Sequence, residues 1–236
     1  MHALLRLAGR SALAAGLVHL LQFLVLGIGP ALREPDHPTP AESAAGYWFG
    51  VVGMVTFTLI ALCYLAFFHA ATTLVWRGDG PTAPAWRRAA QSAATIGIGC
   101  WLTAGATWLA RRGFNAAGIA AAAESDPVAR AALQATYVGF SAVAVAGAVA
   151  FCAWWVGFAV RGVRAGVIGW PTAVVVALLG GLVPLAGWLA NLGGVPSVVL
   201  AFLVLGPVLL VRARRAGRPA PGGDAARAAA PSGVAQ

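Results

Sequence analysis

Charge is scarce in this chain of 236 residues. Asp, Glu, Lys and Arg make up 10% of it, against about 25% in a soluble domain. Lysine is missing altogether, and only seven residues are acidic. At 60% hydrophobic residues, the chain suits a solvent less polar than water. Cysteine is nearly missing too. Cys63, Cys100 and Cys152 each fall inside an apolar run, with no CxxC spacing, which excludes a disulfide framework and a zinc knuckle. Buried thiols serving as small apolar groups remain. The chain holds no H-E-x-x-H and no G-x-S-x-G, and neither Gly180-Gly181 nor Gly193-Gly194 is followed by Lys-Ser/Thr. Recognised intramembrane hydrolase signatures and the phosphate-cradling loop are therefore absent.

What is there is a series of long apolar runs. A helix needs about 20 apolar residues to cross about 30 Å of hydrocarbon. Six segments qualify: residues 11–28, 48–76, 91–110, 132–160, 170–190 and 196–211. The runs are continuous rather than alternating, and an open strand cannot satisfy its backbone in lipid. The fold class expected is thus all-α, a polytopic transmembrane helical bundle. Arg6 and Arg10 precede the first run as in a signal peptide, but no convincing small-x-small cleavage site follows before Pro30, so the run reads as a retained helix. Pro184 is expected to disturb the fifth helix, because proline supplies no N–H to the ladder. Gly46, Gly50 and Gly53 offer a close-approach face on the second. The tail 212–236, rich in Arg, Pro, Gly and Ala, reads as disordered.

Orientation follows from the basic residues. The net charge of +9 would suggest nucleic acid in a soluble protein. Here the arginines flank apolar segments, so no nucleic-acid partner is expected. Arg6, Arg10, Arg77, Arg87, Arg88, Arg161, Arg164, Arg212, Arg214, Arg215, Arg218 and Arg227 lie on the side of the N-terminus. Only Arg33, Arg111, Arg112 and Arg130 lie opposite. The positive-inside rule then places both termini in the cytoplasm. Arginine without lysine, in an Ala- and Gly-rich chain, is the texture of a GC-rich bacterial genome, so the membrane expected is a bacterial inner membrane. Its lipids are the first partners, with a membrane-protein partner or a second copy as further ones.

No Asp, Glu, Lys or Arg falls within the six segments, which removes the usual equipment of proton relays and ion-coupled carriers. Histidine, glutamine, threonine, serine and tyrosine remain. His19 lies nine residues from Arg10, and His69 eight from Arg77, about 13 and 12 Å along a helix. Two imidazoles at one depth are candidate ligands for a haem iron or another metal. Hydrogen bonding within the bundle is the plainer use, with Gln22 beside His19 and with Thr72 and Thr73 beside His69. Cys100, Thr103 and Thr107 form a second polar stripe, and Gln134, Tyr137 and Ser141 a third. Either could line a small cavity. Glu34, Asp36, His37 and Glu42 cluster in a Pro-rich loop at no known ligand spacing. No resident cofactor is expected unless the histidines bind haem.

The stretch "AWWVGFAVRGVRAGVIGWPTAVVVALLGGLVPLAGWLANLGG" resembles a pattern found in uncharacterised bacterial integral membrane families. There a long helix ends in Arg and Gly, a short turn carries Trp or Pro, and a Gly-rich helix returns. Such families are domains of unknown function, so the resemblance implies a membrane hairpin and carries no catalytic residue. Three functions stay open: a non-catalytic structural or accessory subunit, a permease or channel with a His/Thr-lined cavity, and a haem redox protein using His19 and His69.

Overall fold

The computed structural model describes residues 1–24, 40–77, 82–109, 124–190 and 195–217. Six long helices account for most of them: α1 (His2–Gln22), α2 (Pro40–Val75), α3 (Ala83–Leu109), α4 (Pro127–Arg164), α5 (Trp170–Leu189) and α6 (Val195–Ala216). No strand occurs among the described residues. Each helix overlaps one of the six expected apolar runs, and several start earlier; residues 25–28 of the first run lie outside the described residues. In α4 the reason is local: the Asp126 side chain accepts from the Val128 N–H at 2.8 Å, and Pro127 takes the first position, where its missing N–H costs nothing. At the other end of the chain, α6 runs through Arg212–Ala216, so these residues are helical and not part of a disordered tail. Residues 218–236 lie outside the described residues, as do the acidic loop residues Glu34, Asp36 and His37.

Five helical segments are long and apolar enough to cross a membrane: His2–Gln22, Val51–Val75, Pro127–Arg164, Trp170–Leu189 and Pro196–Ala216. Helix α3 is long enough at 27 residues but carries Arg87, Arg88 and Gln91 in its first half, which dilutes its apolar character. Large apolar side chains face outward around the bundle, among them Leu21, Leu62, Ile96, Val160 and Leu182.

Each helix packs antiparallel to its neighbour in sequence, and α6 closes the ring against α1. The α1–α6 seam is made by small residues. A Cβ at Gly9, Gly16 or Gly206 would fall 2.9, 2.8 or 3.0 Å from Leu210, Leu203 or Leu13 respectively. Without side chains at these points the two backbones approach closely, the usual basis of helix association in lipid. The start of α1 at His2 and Gly217, just beyond α6, thus meet at one end of the bundle, where a Cβ at Gly217 would fall 2.8 Å from the His2 ring. The turn from α4 to α5 lies there too. Gly166 adopts φ +65°, a conformation glycine takes without a Cβ penalty. Its N–H reaches the Val163 carbonyl, while the Val167 N–H reaches back to Gly162, closing the helix end as in the glycine stop motif. The Arg212 guanidinium donates to the Gly166 carbonyl and ties this turn to α6.

Pro184 disturbs α5 as expected, through a wider turn. Residues Leu178–Leu182 form a π-helical segment, and the Val183 N–H reaches the Leu178 carbonyl. The added residue makes room for a proline ring that would otherwise press on the carbonyl four residues back. It also lays Gly180 and Gly181 against Trp155, where Cβ atoms would fall 2.6 and 3.3 Å from the ring and its Cβ.

Near the termini the interior is filled with rings. Phe67, Phe68, Trp154, Trp155, Phe158 and Phe202 are all buried. Trp154 stacks on Phe158 at 5.0 Å and meets Phe68 edge-on at 4.3 Å, within the range of favourable aromatic geometries.

Candidate functional site

Away from the termini the ring of helices holds a cavity of about 320 Å³. All six helices line it. Ala104, Ala144 and Ala148 leave space among its rings, and Gly147 lets α4 approach α3, since a Cβ there would fall 2.8 Å from Cys100. Two glycines draw rings back against their own helix. A Cβ at Gly97 would fall 2.7 Å from Phe151, and one at Gly105 would fall 2.6 Å from Phe57.

The polar groups come from α1, α2 and α3. His19 is 1% exposed, and its Nδ1 lies 3.1 Å from the Tyr64 hydroxyl. Its ring meets Trp101 edge-on at 4.8 Å. One turn along α1, the Gln22 amide donates to Thr56 Oγ1 at 3.1 Å, and Thr56 donates to the Gly53 carbonyl at 2.8 Å. The Gln22 amide nitrogen is therefore paired. Two atoms are not: His19 Nε2 and Trp101 Nε1 are buried without a hydrogen-bond partner among the described residues. Buried polar atoms are nearly always paired in native proteins, so each exception calls for an explanation.

The tautomer of His19 follows from counting donors. Tyr64 is 2% exposed, and its bond to His19 is the one its hydroxyl makes among the described residues. If a neutral His19 donated from Nδ1, the phenol proton and the Nε2 lone pair would both be stranded. If Tyr64 donates instead, only one N–H is stranded. The second arrangement wastes fewer buried groups, and it leaves the proton on Nε2.

The expected site residues separate into three groups. His19, Gln22 and Cys100 line the cavity. Thr72 and Thr73 are bound elsewhere: Thr72 is fully buried and accepts from Trp154 Nε1 at 3.0 Å, and Thr73 accepts from Arg87 at 3.1 Å. Thr103 and Thr107 do not line the cavity, and each donates to the backbone carbonyl four residues back, the common fate of threonine in a helix. Gln134 and Tyr137 are exposed and Ser141 half-buried, and the cavity takes Phe140, Ala144 and Gly147 from that helix instead. His69 is exposed. It follows Tyr64, the α2 partner of His19, by five residues, about 140° around a helix. The structure does not bring the two histidines together. Distance from Arg10 is a poor ruler of depth here, because Arg10 lies inside α1 rather than ahead of it. Among the described residues no three His, Cys, Asp or Glu side chains group as metal ligands.

Tyr64 and Trp101 were not anticipated as site residues. The signal for Trp101 was its position, deep in α3 while most tryptophans fall near segment ends. Tyr64 gave none beyond being a hydroxyl in an apolar run. Compared with known protein families, curated proteins and solved structures, the chain matches none.

Proposed function

We propose that this protein is a six-span protein of a bacterial inner membrane, with both termini cytoplasmic, and that it binds a small, mainly apolar molecule in the cavity between its helices. The observation that carries the binding reading is a cavity lined by His19 and Trp101, each of which holds a buried polar atom, Nε2 and Nε1 respectively, without a partner among the described residues. A volume of about 320 Å³ falls at the small end of ligand pockets, which are typically apolar with a few polar groups that fix orientation. The ring-filled half of the bundle closes the cavity toward the termini, which favours a binding site over a continuous channel.

The six-span reading rests on the place of α3 in the ring, between α2 and α4, and on the Ile96 side chain it turns outward. The orientation rests on the arginine asymmetry. Fusion of a reporter active only in the cytoplasm at Gln236 should give signal, and a silent fusion would reverse the topology.

The binding reading is tested by purifying the full chain in lipid nanodiscs and extracting it with solvent for mass spectrometry. A non-lipid molecule should accompany the wild type and be lost from Ala148→Leu, in which the cavity is obstructed. Equal amounts in both proteins would remove the cavity from the account. A visible spectrum of the same sample addresses haem: a Soret band lost in both His19→Ala and His69→Ala would restore the redox reading.

A further inference from the structure

The two unsatisfied atoms bear on the kind of molecule the cavity takes. Trp101 Nε1 carries a proton and can only donate. His19 Nε2 carries one as well in the tautomer that strands fewer buried groups, with the Tyr64 hydroxyl donating to Nδ1 across their 3.1 Å contact. The two buried atoms that lack partners among the described residues, both on residues that line the cavity, are thus N–H donors. Of the other polar side chains that line it, Gln22 has its amide nitrogen bonded to Thr56 and Tyr64 its hydroxyl to His19. Among the described residues that line the cavity none is Asp, Glu, Lys or Arg, so an ionised ligand would find no counter-charge from them. A ligand that donates hydrogen bonds would find no free acceptor at these two positions.

We propose that the cavity recognises a neutral, compact, ring-like apolar molecule through a hydrogen-bond acceptor oxygen, with a carbonyl as the simplest case. Trp101 Nε1–H and His19 Nε2–H are the recognising donors, and Tyr64 acts as a positioning residue that fixes the His19 tautomer. The apolar wall, with Phe57, Phe140 and Phe151 among its rings, takes the hydrocarbon part. This inference rests on the binding reading above and adds the chemistry of the ligand to it.

The test compares a ketone with its hydrocarbon twin. 1-Tetralone and tetralin share one bicyclic skeleton and differ by the carbonyl. Binding to the full chain in lipid nanodiscs is measured by equilibrium dialysis against empty nanodiscs, which corrects for partition into lipid. The wild type should prefer 1-tetralone by about tenfold, the scale of one to two net hydrogen bonds. In Trp101→Phe the preference should fall several-fold while tetralin binding is retained, and His19→Phe should act in the same direction. Equal binding of the two compounds to the wild type, or a preference untouched by both variants, would overturn acceptor recognition and leave the cavity reading standing. Binding of neither compound would overturn the cavity reading itself. The wild-type ratio decides between these outcomes even if a variant folds poorly.

Discussion

The two halves of this bundle contain the same kinds of side chain and use them in opposite ways. Near the termini, Trp154 is buried with its indole N–H bonded to Thr72 and its ring stacked on Phe158. In the far half, Trp101 has its N–H buried without a partner among the described residues, and its ring borders empty space. The filled half has the features of a structural core, in which polar atoms are satisfied and the rings are packed. The hollow half retains an unmet need for hydrogen bonds beside a cavity. Lipid is as apolar as leucine, so association of these helices draws on packing and hydrogen bonds rather than on escape from water. A cavity at the centre therefore forgoes packing that neighbouring helices could have had.

Substitutions can break or sharpen this contrast. The largest effect is expected for Trp155→Ala in the filled half, where the ring is buried and in contact with Gly180. It should cost about 3–5 kcal/mol of stability, read by unfolding in mixed micelles. Enlargement comes next. Ala159→Leu adds volume to the packed half and should cost about 1–3 kcal/mol. Ala144→Leu adds it at the cavity wall and should cost clearly less. If the two cost the same, the halves are equally dense and the contrast fails. The third comparison is chemical. Trp154→Phe removes a bonded N–H and should cost about 1 kcal/mol. Trp101→Phe removes an unbonded one and should change stability by about 0.5 kcal/mol or less. The smallest effect is expected for His69→Ala, at an exposed position, again within about 0.5 kcal/mol of the wild type. A large loss there would bring His69 back as a residue with a structural or ligand-binding task.

The helices were legible because the apolar runs are long and unbroken. Five of them recur as segments long and apolar enough to cross a membrane. The π-helical segment was partly legible, since Pro184 marks the place but not the form of the disturbance. The site was legible only at His19, Gln22 and Cys100. Periodicity along one helix cannot tell an inward stripe from an outward one when both are apolar. The Thr103 and Thr107 hydroxyls bond to their own backbone, a solution available to any helical threonine and invisible in spacing. Tyr64 and Trp101 matter through contacts between α1, α2 and α3, which only the closed ring brings together.

The seam between α1 and α6 joins the first of the described helices to the last. A ribosome adds residues at about 5–20 per second, so α1 waits through the synthesis of four intervening helices before Gly206 can meet Leu13. During that interval the barrel of helices is a horseshoe, and the small-residue face of α1 is open to the bilayer. Closure then waits for α6: a chain interrupted before it would hold α1 and α2 together but leave the glycine face of α1, at Gly9 and Gly16, uncovered. The last of the described helices to be made is the one that shuts the ring.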